Sequence, residues 1–231
     1  EVFDVIYLDP ARRDNNKNKV FLLEDLSPDI LAIQEELLSS ADKIVIKLSP
    51  LIDLKYLVSV LPSIFRIDII AVKNDVKEIV IFLSKEKKDS ISCYCVNLES
   101  NEPIFQFTFG EEENGHATYG EPEKYIYIPN NTVLKAGIFN LISEKTGLKK
   151  LHPNTHLYTS DALMQDFPGR IFEMENIDAK KIQKKSQYNI ISKNYPLKPE
   201  EIKKKYSLKD GGEKYLIFTQ SKKGKIILKS V

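Results

Sequence analysis

The chain has 231 residues, of which 42% are hydrophobic and 29% are charged, and its formal net charge is only +1. No apolar run approaches the roughly 20 residues that a membrane-spanning helix needs, and no secretory signal opens the chain, so the sequence indicates a cytoplasmic protein. The charge is unevenly distributed, because residues 176–231 hold 15 lysines against 5 acids and the rest of the chain is net acidic. A basic module attached to an acidic body is therefore expected.

The first predicted element is a strand over residues 3–8 that ends abruptly at an acid and a proline. Its nearly continuous apolar sequence is typical of a strand buried on both faces of a parallel sheet. Pro10 cannot donate a ladder hydrogen bond, so the strand should stop at Asp9, at the edge where open α/β sheets place their ligand crevices. The alternative is an ordinary Asp-Pro turn in which Arg12 and Arg13 are surface charges.

A crossover and a hairpin follow along the chain. The residues Ser27, Pro28 and Asp29 predict the start of a helix, with Ser27 as its N-cap, which leads to a second hydrophobic strand at 43–48. Strand, helix and strand in this order predict a parallel crossover unit. The next two strands, 65–72 and 78–83, are joined by too few residues for a crossover, so an antiparallel hairpin is expected.

The middle of the chain is predicted to form a small α+β domain. The charged segment 85–89 is typical of a linker, and it places a domain boundary between residues 86 and 87. Three strands and one amphipathic helix are expected beyond it, at residues 91–98, 104–109, 125–128 and 133–146. This pattern favours a ferredoxin-like domain over residues 87–167.

The remaining residues, 168–231, are predicted to form a third, basic domain. Its expected elements are strands at 171–175, 188–192, 214–220 and 225–229, helices at 179–185 and 200–206, and turns at 211–212 and 222–224. Lysines cluster on both predicted helices, at Lys180, Lys181, Lys184 and Lys185 and at Lys203, Lys204 and Lys205. Such faces attract polyanions, although a merely solvated helix face is the plainer interpretation.

Neither the cysteines nor the histidines predict a metal site. Cys93 and Cys95 would point to the same face of a strand, and no further cysteine is present, so buried reduced thiols are expected. His116, His152 and His156 lack metal-ligand spacing and are expected to be ordinary structural or surface residues.

Four spaced motifs carry a resemblance to a known family: YLDPARRD at residues 7–14, KLSPLIDL at 47–54, DFPGRIFE at 166–173 and the segment 189–218. Together they resemble the methyltransferases with a THUMP-like domain of Bacteroidota-type bacteria, which are predicted S-adenosylmethionine-dependent enzymes. The resemblance implies an α/β plus α+β chain. Its expected parts are the second half of a Rossmann-like class I methyltransferase sheet ending in an antiparallel hairpin (1–86), the ferredoxin-like domain (87–167) and a THUMP-like domain (168–231).

In this family Asp9 and Pro10 correspond to the motif that ends the fourth strand of the catalytic sheet. The resemblance thus implies that Asp9 and Pro10 shape the reaction centre and that Asp9 lies close to the methyl donor. Ala11 and Arg12 stand where related enzymes carry a second proline and an aromatic residue, so the resemblance assigns no target atom. Arg12 and Arg13 would instead hold phosphate, for which a planar guanidinium is suited.

Further substrate-binding residues are expected at the next strand tip and in the basic domain. They are Lys47, Ser49, Arg170, Lys180, Lys181, Lys184, Lys203 and Lys204. Resemblance to a THUMP-like domain favours RNA, such as tRNA, as the partner. The tyrosines of the basic domain would stack on unpaired bases unless they are core residues, and they are Tyr188, Tyr195, Tyr206 and Tyr215.

S-adenosylmethionine is the expected cofactor of the full-length protein, but most of its site is not expected in this chain. Class I enzymes bind the donor chiefly through a glycine-rich turn after their first strand, and all nine glycines here lie at or beyond Gly110. The chain also begins without methionine, inside or at the edge of a predicted strand. We therefore expect a fragment that lacks its amino-terminal part and binds the donor weakly.

The sequence thus predicts part of a methyltransferase that acts on nucleic acid. Two alternatives stay open: a non-catalytic RNA-binding or scaffolding protein with a degenerate methyltransferase half, and a methyltransferase that acts on protein. A glycine-rich turn in a preceding segment would favour the enzyme, and failure of mixed tRNA to bind at low salt would favour a protein substrate.

Overall fold

The structure, a computed structural model, describes residues 3–11, 23–86 and 88–231. The chain divides into two compact units, the first comprising residues up to Glu113 together with Asn130–Gly137 and the second Asn114–Pro129 together with Ile138–Val231. No helix in these described ranges is long and apolar enough to cross a membrane.

The first unit is built on a six-stranded mixed sheet. Its strands are β1 (Phe3–Leu8), β2 (Ala41–Leu48), β3 (Ile64–Val72), β4 (Asp75–Ser84), β5 (Ser92–Leu98) and β6 (Phe105–Thr108), in the spatial order β1-β2-β4-β3-β5-β6. β1 and β2 are parallel, and β4 lies between β2 and β3 and runs antiparallel to both. The predicted parallel crossover and hairpin are confirmed, and β4, the last strand of the hairpin, is inserted between β2 and β3.

Two helices connect the first strands of this sheet, α1 (Ile30–Ser40) and α2 (Leu54–Val60). The expected N-cap Ser27 is wrong, because Asp29 caps α1 instead. One oxygen of its carboxylate accepts hydrogen bonds from the backbone N–H groups of Leu31 and Ala32 at 3.0 and 3.2 Å. The acid therefore satisfies two of the free donors of the first turn, and the helix begins one residue after it.

β1 is a strand as expected, but it is not buried on both faces. Phe3, Val5 and Tyr7 alternate along it, and their relative exposures are 50%, 51% and 59%. β1 also has a hydrogen-bonded neighbour on one side only, β2, within the described sheet. An apolar run therefore identified the strand correctly, but it did not reveal that one face of β1 is exposed among the described residues.

The expected domain boundary between residues 86 and 87 does not match the structure. β5 pairs in parallel with β3 from Arg66–Ser92 to Val72–Leu98, so the sheet of the first unit continues beyond the charged segment. This pairing places Cys93 and Cys95 in the core as buried free thiols, and burial raises the pKa of each to about 12. A charged linker ended a strand here, but it did not end the domain, because the edge of β3 was still available for pairing.

The single helix expected at 133–146 is two helices, α3 (Asn131–Ala136) and α4 (Phe139–Thr146). Gly137 separates them in a left-handed conformation, with φ 72°, and its N–H donates to the carbonyl groups at the end of α3. Glycine adopts this conformation without the steric cost that other residues meet. The division assigns α3 to the first unit and α4 to the second.

The second unit contains one seven-stranded sheet in the order β11-β12-β13-β10-β7-β9-β8. Its strands are β7 (Tyr125–Pro129), β8 (Lys149–His152), β9 (Thr155–Ser160), β10 (Gly169–Asn176), β11 (Gln187–Ser192), β12 (Lys209–Ser221) and β13 (Gly224–Ser230), and α5 (Pro199–Tyr206) precedes β12. The strands expected in the basic domain are confirmed. β8 and β9 were not predicted, because polar residues interrupt their short apolar pattern.

The sheet of the second unit is curved, and both of its ends contribute to one core. Leu151 and Leu157, from β8 and β9, belong to the same buried cluster as Ile217 and Leu228, from β12 and β13. The N–H of Lys222 donates to the carbonyl oxygen of Leu151 at 3.1 Å, which ties the end of β12 to β8. The two halves of the sheet therefore share their hydrophobic core.

The helix expected at 179–185 is wrong. Only one turn of 3₁₀ helix forms there, Ala179–Lys181, capped by the carboxylate of Asp178. The next residue, Ile182, is extended and 8% exposed, because it packs into a second buried cluster with Ile202 and Phe218. Burial of one isoleucine therefore prevailed over local helix propensity.

We predict that the shared core couples the stability of the two halves of the second unit. Leu157→Ala in β9 removes a fully buried side chain and should cost about 2–5 kcal/mol of unfolding free energy. Amide hydrogen exchange should then accelerate in β12 and β13 as well as in β7 and β9. Leu163→Ala, at an exposed site, is the matched control. Acceleration confined to β7–β9 would contradict a shared core.

Candidate functional site

Asp9 follows β1 directly, at the carboxyl end of the strand, and Pro10 is buried behind it. The next residue, Ala11, is fixed by two backbone hydrogen bonds to Ser27, with N···O distances of 2.8 and 3.3 Å. The turn after Asp9 is therefore restrained twice, by the fixed ring of Pro10 and by the backbone hydrogen bonds of Ala11. This arrangement holds the Asp9 carboxylate at the edge of the sheet.

Lys47 is the charged partner of Asp9. It lies near the end of β2, the parallel neighbour of β1, and its Nζ is 2.5 Å from Oδ2 of Asp9. The hydrogen bond to Asp9 raises the pKa of Lys47, although partial burial opposes the shift. The side chain of Asp9 is 46% exposed, so a ligand can reach the carboxylate while the ammonium fixes its orientation.

The loop after β2 forms a hydrogen-bonded turn around Ser49. The Ser49 hydroxyl accepts from the N–H of Leu51 at 3.3 Å, and its carbonyl oxygen accepts from the N–H of Ile52 at 3.2 Å. Lys135 of α3 donates to the carbonyl oxygen of Ile52 at 2.8 Å, and burial lowers the pKa of this lysine. Sequence reasoning missed Lys135, because nothing local links it to this loop.

The structure thus brings Asp9, Pro10, Lys47 and Ser49 to the neighbouring carboxyl ends of β1 and β2. Arg12 and Arg13 lie outside the described residues. The arrangement presents one oriented carboxylate and one ammonium, which suits binding and orientation of a polar group that carries a proton.

In the second unit, the two lysine clusters of the basic domain come together. The N–H of Lys185 donates to the carbonyl oxygen of Ser207 at 2.7 Å, and Ile182 packs with Ile202 of α5. We call the exposed lysines around this junction the α5 lysine surface. Its members are Lys180, Lys181, Lys184, Lys185, Lys204 and Lys205.

Lys203 differs from its neighbours, because two carboxylates neutralise it. Its Nζ lies 2.9 Å from Glu200 and 3.0 Å from Asp210, and these hydrogen bonds raise its pKa. Helical spacing groups Lys203 with Lys204. It does not show that Lys203 faces two carboxylates. Lys203 is the member of the expected binding set that the structure favours least.

Arg170 and the tyrosines of the basic domain pack mainly on aromatic neighbours. The guanidinium of Arg170 lies 5.4 Å from the ring of Phe172 and 5.9 Å from that of Tyr215. Tyr188 is a buried core residue, and the rings of Tyr195 and Tyr206 pack on Phe218. These contacts favour the structural interpretation of the four tyrosines over base stacking.

His156 is a structural residue that stacks on an aromatic ring. Its ring centroid is 3.5 Å from that of Phe139, and the two planes differ by 16°. Burial, with smaller effects from the positive charges of Lys150 and Lys193, lowers its pKa to about 4. No group of three or more His, Cys, Asp or Glu side chains that suits a metal ion is present among the described residues.

A second basic surface was not predicted as a binding site. The lysines at the tip of the β12–β13 hairpin, Lys222, Lys223 and Lys225, are exposed, and the Nζ of Lys222 lies 3.8 Å from the centre of the Tyr119 ring. Three of the four residues 222–225 are lysines, which is a local signal for a basic surface, although the pattern by itself predicts only a turn there. We call this group, with Tyr119, the hairpin-tip surface.

Comparisons with known proteins agree with this architecture. Residues 125–168 match the family model of a ferredoxin-like domain, and residues 169–229 match that of a THUMP-like domain. The crystal structure of a putative methyltransferase from Porphyromonas gingivalis W83 superposes with a TM-score of 0.85 at 35% sequence identity. The match covers 98% of this chain and 58% of that protein. No curated protein matches the chain.

We predict that His156 makes the protein less stable in acid. Because its pKa in the folded state is about 4, below the ordinary value near 6.5, the unfolded chain binds the proton more tightly. Stability should therefore decrease as the pH falls from about 6.5 to 4. In urea unfolding, His156→Phe should lose this part of the pH dependence, whereas His116→Phe, at an exposed site, should retain it. Equal pH dependence in both variants would contradict the assignment.

Proposed function

Because the chain carries a ferredoxin-like and a THUMP-like domain, we propose that it belongs to an S-adenosylmethionine-dependent methyltransferase of the cytoplasm that acts on structured RNA such as tRNA. The observation that carries the proposal is the Asp9 carboxylate at the carboxyl end of β1, oriented by Lys47. It lies in a sheet whose strand order, with β4 antiparallel between β2 and β3, is the one expected for the second half of a class I methyltransferase. The resemblance to the Porphyromonas gingivalis protein supports the same enzyme class.

Asp9 is the group of this chain that would touch the reacting part of the substrate. A carboxylate within hydrogen-bond reach of a target N–H or O–H group orients that group and accepts its proton. Lys47 keeps the carboxylate in one orientation through the contact with Oδ2. Pro10 and the backbone bridge of Ala11 limit motion of the turn, which matters because small displacements of a catalytic group reduce rates strongly.

The residues of this chain do not by themselves complete a site for S-adenosylmethionine. The donor supplies the methyl group in this class of enzyme, and a glycine-rich turn normally holds it. The sequence has no glycine before Gly110, and Asp9 is the one expected donor contact. Since the chain spans 58% of the length of the Porphyromonas gingivalis protein, the activity is proposed for the whole protein.

The α5 lysine surface supports RNA as the substrate. Its lysines are exposed and make no ion pair with another described residue. Lysines in this state neutralise phosphates and release counterions, so binding should weaken steeply with salt. These lysines also lie in the part of the chain that matches a THUMP-like domain.

The Asp9–Lys47 contact also favours a second candidate function. A carboxylate that already has a cationic partner, in a motif that continues with Ala11 and Arg12, is compatible with a non-catalytic RNA-binding or scaffolding protein. In that case the contact would serve only to join β1 and β2. The two functions predict different results. An enzyme transfers methyl groups and loses this activity without the Asp9 charge, whereas a scaffold transfers no methyl groups at all.

We predict that Asp9→Asn lowers RNA methylation by at least about 100-fold, because the variant keeps the shape of the side chain and loses its capacity to accept a proton. The measurement is transfer of labelled methyl groups from S-adenosylmethionine to total RNA by the longest natural form of the protein. Asp4→Asn, which neutralises an exposed acid of the same strand, is the matched control and should retain activity.

Equal labelling by Asp9→Asn and the wild type would remove Asp9 from the mechanism. If the wild type binds tRNA but labels no RNA, the scaffold is favoured. If it labels protein and fails to bind mixed tRNA at low salt, a protein substrate is favoured.

We further predict that the 231-residue chain binds S-adenosylmethionine only weakly, because a single carboxylate cannot replace a glycine-rich turn. Isothermal titration calorimetry with the purified chain should give no saturable heat at micromolar donor. A dissociation constant in the micromolar range would contradict this expectation and would mean that other residues of the chain hold the donor.

A further inference from the structure

The hairpin-tip surface carries three lysines and is in contact with one acid, Glu121, so its net charge is positive. Lys222, Lys223 and Lys225 are exposed and form no ion pair with any carboxylate in the described ranges. Glu121, the acid in contact with this hairpin, accepts a hydrogen bond from the hydroxyl of Ser221 at 2.9 Å. Three unpaired ammonium groups within four residues repel one another. Binding of an anion relieves this repulsion and is therefore favourable.

The same surface has an aromatic ring that is open to solvent. Tyr119 has a relative exposure of 36%, and Lys222 covers one of its faces at 3.8 Å from the ring centre. This differs from the tyrosines of the basic domain, whose rings pack on Phe172 or Phe218. An ammonium beside an exposed aromatic face is the combination on which nucleic-acid bases stack while the charge meets a phosphate.

The segments that contain Tyr119 and Lys222 are both hydrogen-bonded to the backbone of β8. The segment around Tyr119 pairs with Lys150, through hydrogen bonds of 2.8 Å to Thr118 and 3.1 Å from Gly120. The N–H of Lys222 donates to the carbonyl oxygen of Leu151, the residue that follows Lys150 in β8. Backbone hydrogen bonds to β8 therefore fix the two chain segments that carry the ring and the ammonium, which reduces the ordering that binding requires.

Lys225 also approaches the segment after β11, where Lys193 adds one further positive charge. Lys225 lies 6.0 Å from the ring of Tyr195, and Lys193 follows the end of β11, where its N–H donates to the carbonyl oxygen of Phe218. The positive charge of this region thus extends beyond the tip of the hairpin.

We propose that the hairpin-tip surface binds an unpaired stretch of RNA, with a base on Tyr119 and phosphates on Lys222, Lys223 and Lys225. The inference rests on the proposed RNA-binding function and assigns this surface the single-stranded part of the substrate. Bases in a duplex are stacked and cannot reach a protein ring, so only unpaired nucleotides use an exposed tyrosine. The α5 lysine surface, which lacks an exposed ring of this kind, would contact phosphates alone.

The test compares two RNA probes by fluorescence anisotropy with the complete 231-residue chain: an unstructured 12-nucleotide oligouridine and a blunt 16-base-pair RNA duplex. Tyr119→Leu keeps an apolar side chain but removes the stacking surface, so it should lower oligouridine affinity about tenfold and leave duplex affinity unchanged. Tyr119→Phe keeps the ring and should bind like the wild type. Because Tyr119 is exposed, neither change removes core packing.

The lysines are tested with triple variants that remove the same charge. K222A/K223A/K225A should lower oligouridine affinity and reduce the slope of log K against log salt by about 2, since each phosphate contact on a single strand contributes about 0.7. The control, K180A/K181A/K184A, removes three lysines from the α5 lysine surface. It should affect the duplex more than the oligouridine.

The outcomes separate this inference from the proposed function. If both Tyr119→Leu and K222A/K223A/K225A bind oligouridine as tightly as the wild type, and tRNA binding is intact, the role of the hairpin-tip surface is overturned and the proposed function is not. Failure of the wild type to bind tRNA, oligouridine and duplex would overturn both proposals. Equal losses for oligouridine and duplex in Tyr119→Leu would show that the ring does not select unpaired bases.

Discussion

The antiparallel pairing of β7 with β10 is the contact on which the second unit depends. It runs from Gly169–Pro129 to Glu173–Tyr125 and joins the ferredoxin-like and THUMP-like domains into one sheet. The shared core follows from this pairing, because β8 and β9 can reach the end of β12 only if β7 is anchored to β10. The two lysine surfaces consequently belong to one continuous β-sheet domain rather than to separate modules.

The candidate catalytic edge in the first unit depends on a different kind of contact. A half-exposed ion pair such as Asp9–Lys47 contributes little to stability, roughly 0–1 kcal/mol, so its main effect is geometric. It fixes a carboxylate between the ends of two parallel strands, where the sheet topology already concentrates loops. Pro10 and the backbone bridge between Ala11 and Ser27 keep the carboxylate in that position.

The lysines of the basic domain differ in ion pairing and in exposure to solvent. Lys203 is neutralised by two acids, whereas the other lysines of α5 and those of the hairpin tip face solvent. Among the lysines that the structure describes, Lys222 is the one that combines an unpaired ammonium with an exposed aromatic ring at short distance. Net charge therefore predicts attraction to a polyanion, but local pairing and aromatic neighbours decide which lysines can contribute to binding and what kind of RNA each surface suits.

Local patterns in the sequence determined the strands β1 and β2, the β3–β4 hairpin and the place of Asp9, since apolar periodicity and proline act over a few residues. Four motifs added the family resemblance. Tertiary structure alone decided that β5 extends the first sheet, that Gly137 divides a helix between two units and that one face of β1 is open. It also decided that Lys203 is neutralised and that Tyr119 meets Lys222. These outcomes depend on pairing between residues far apart in the chain, for which neither propensity nor spacing carries a signal.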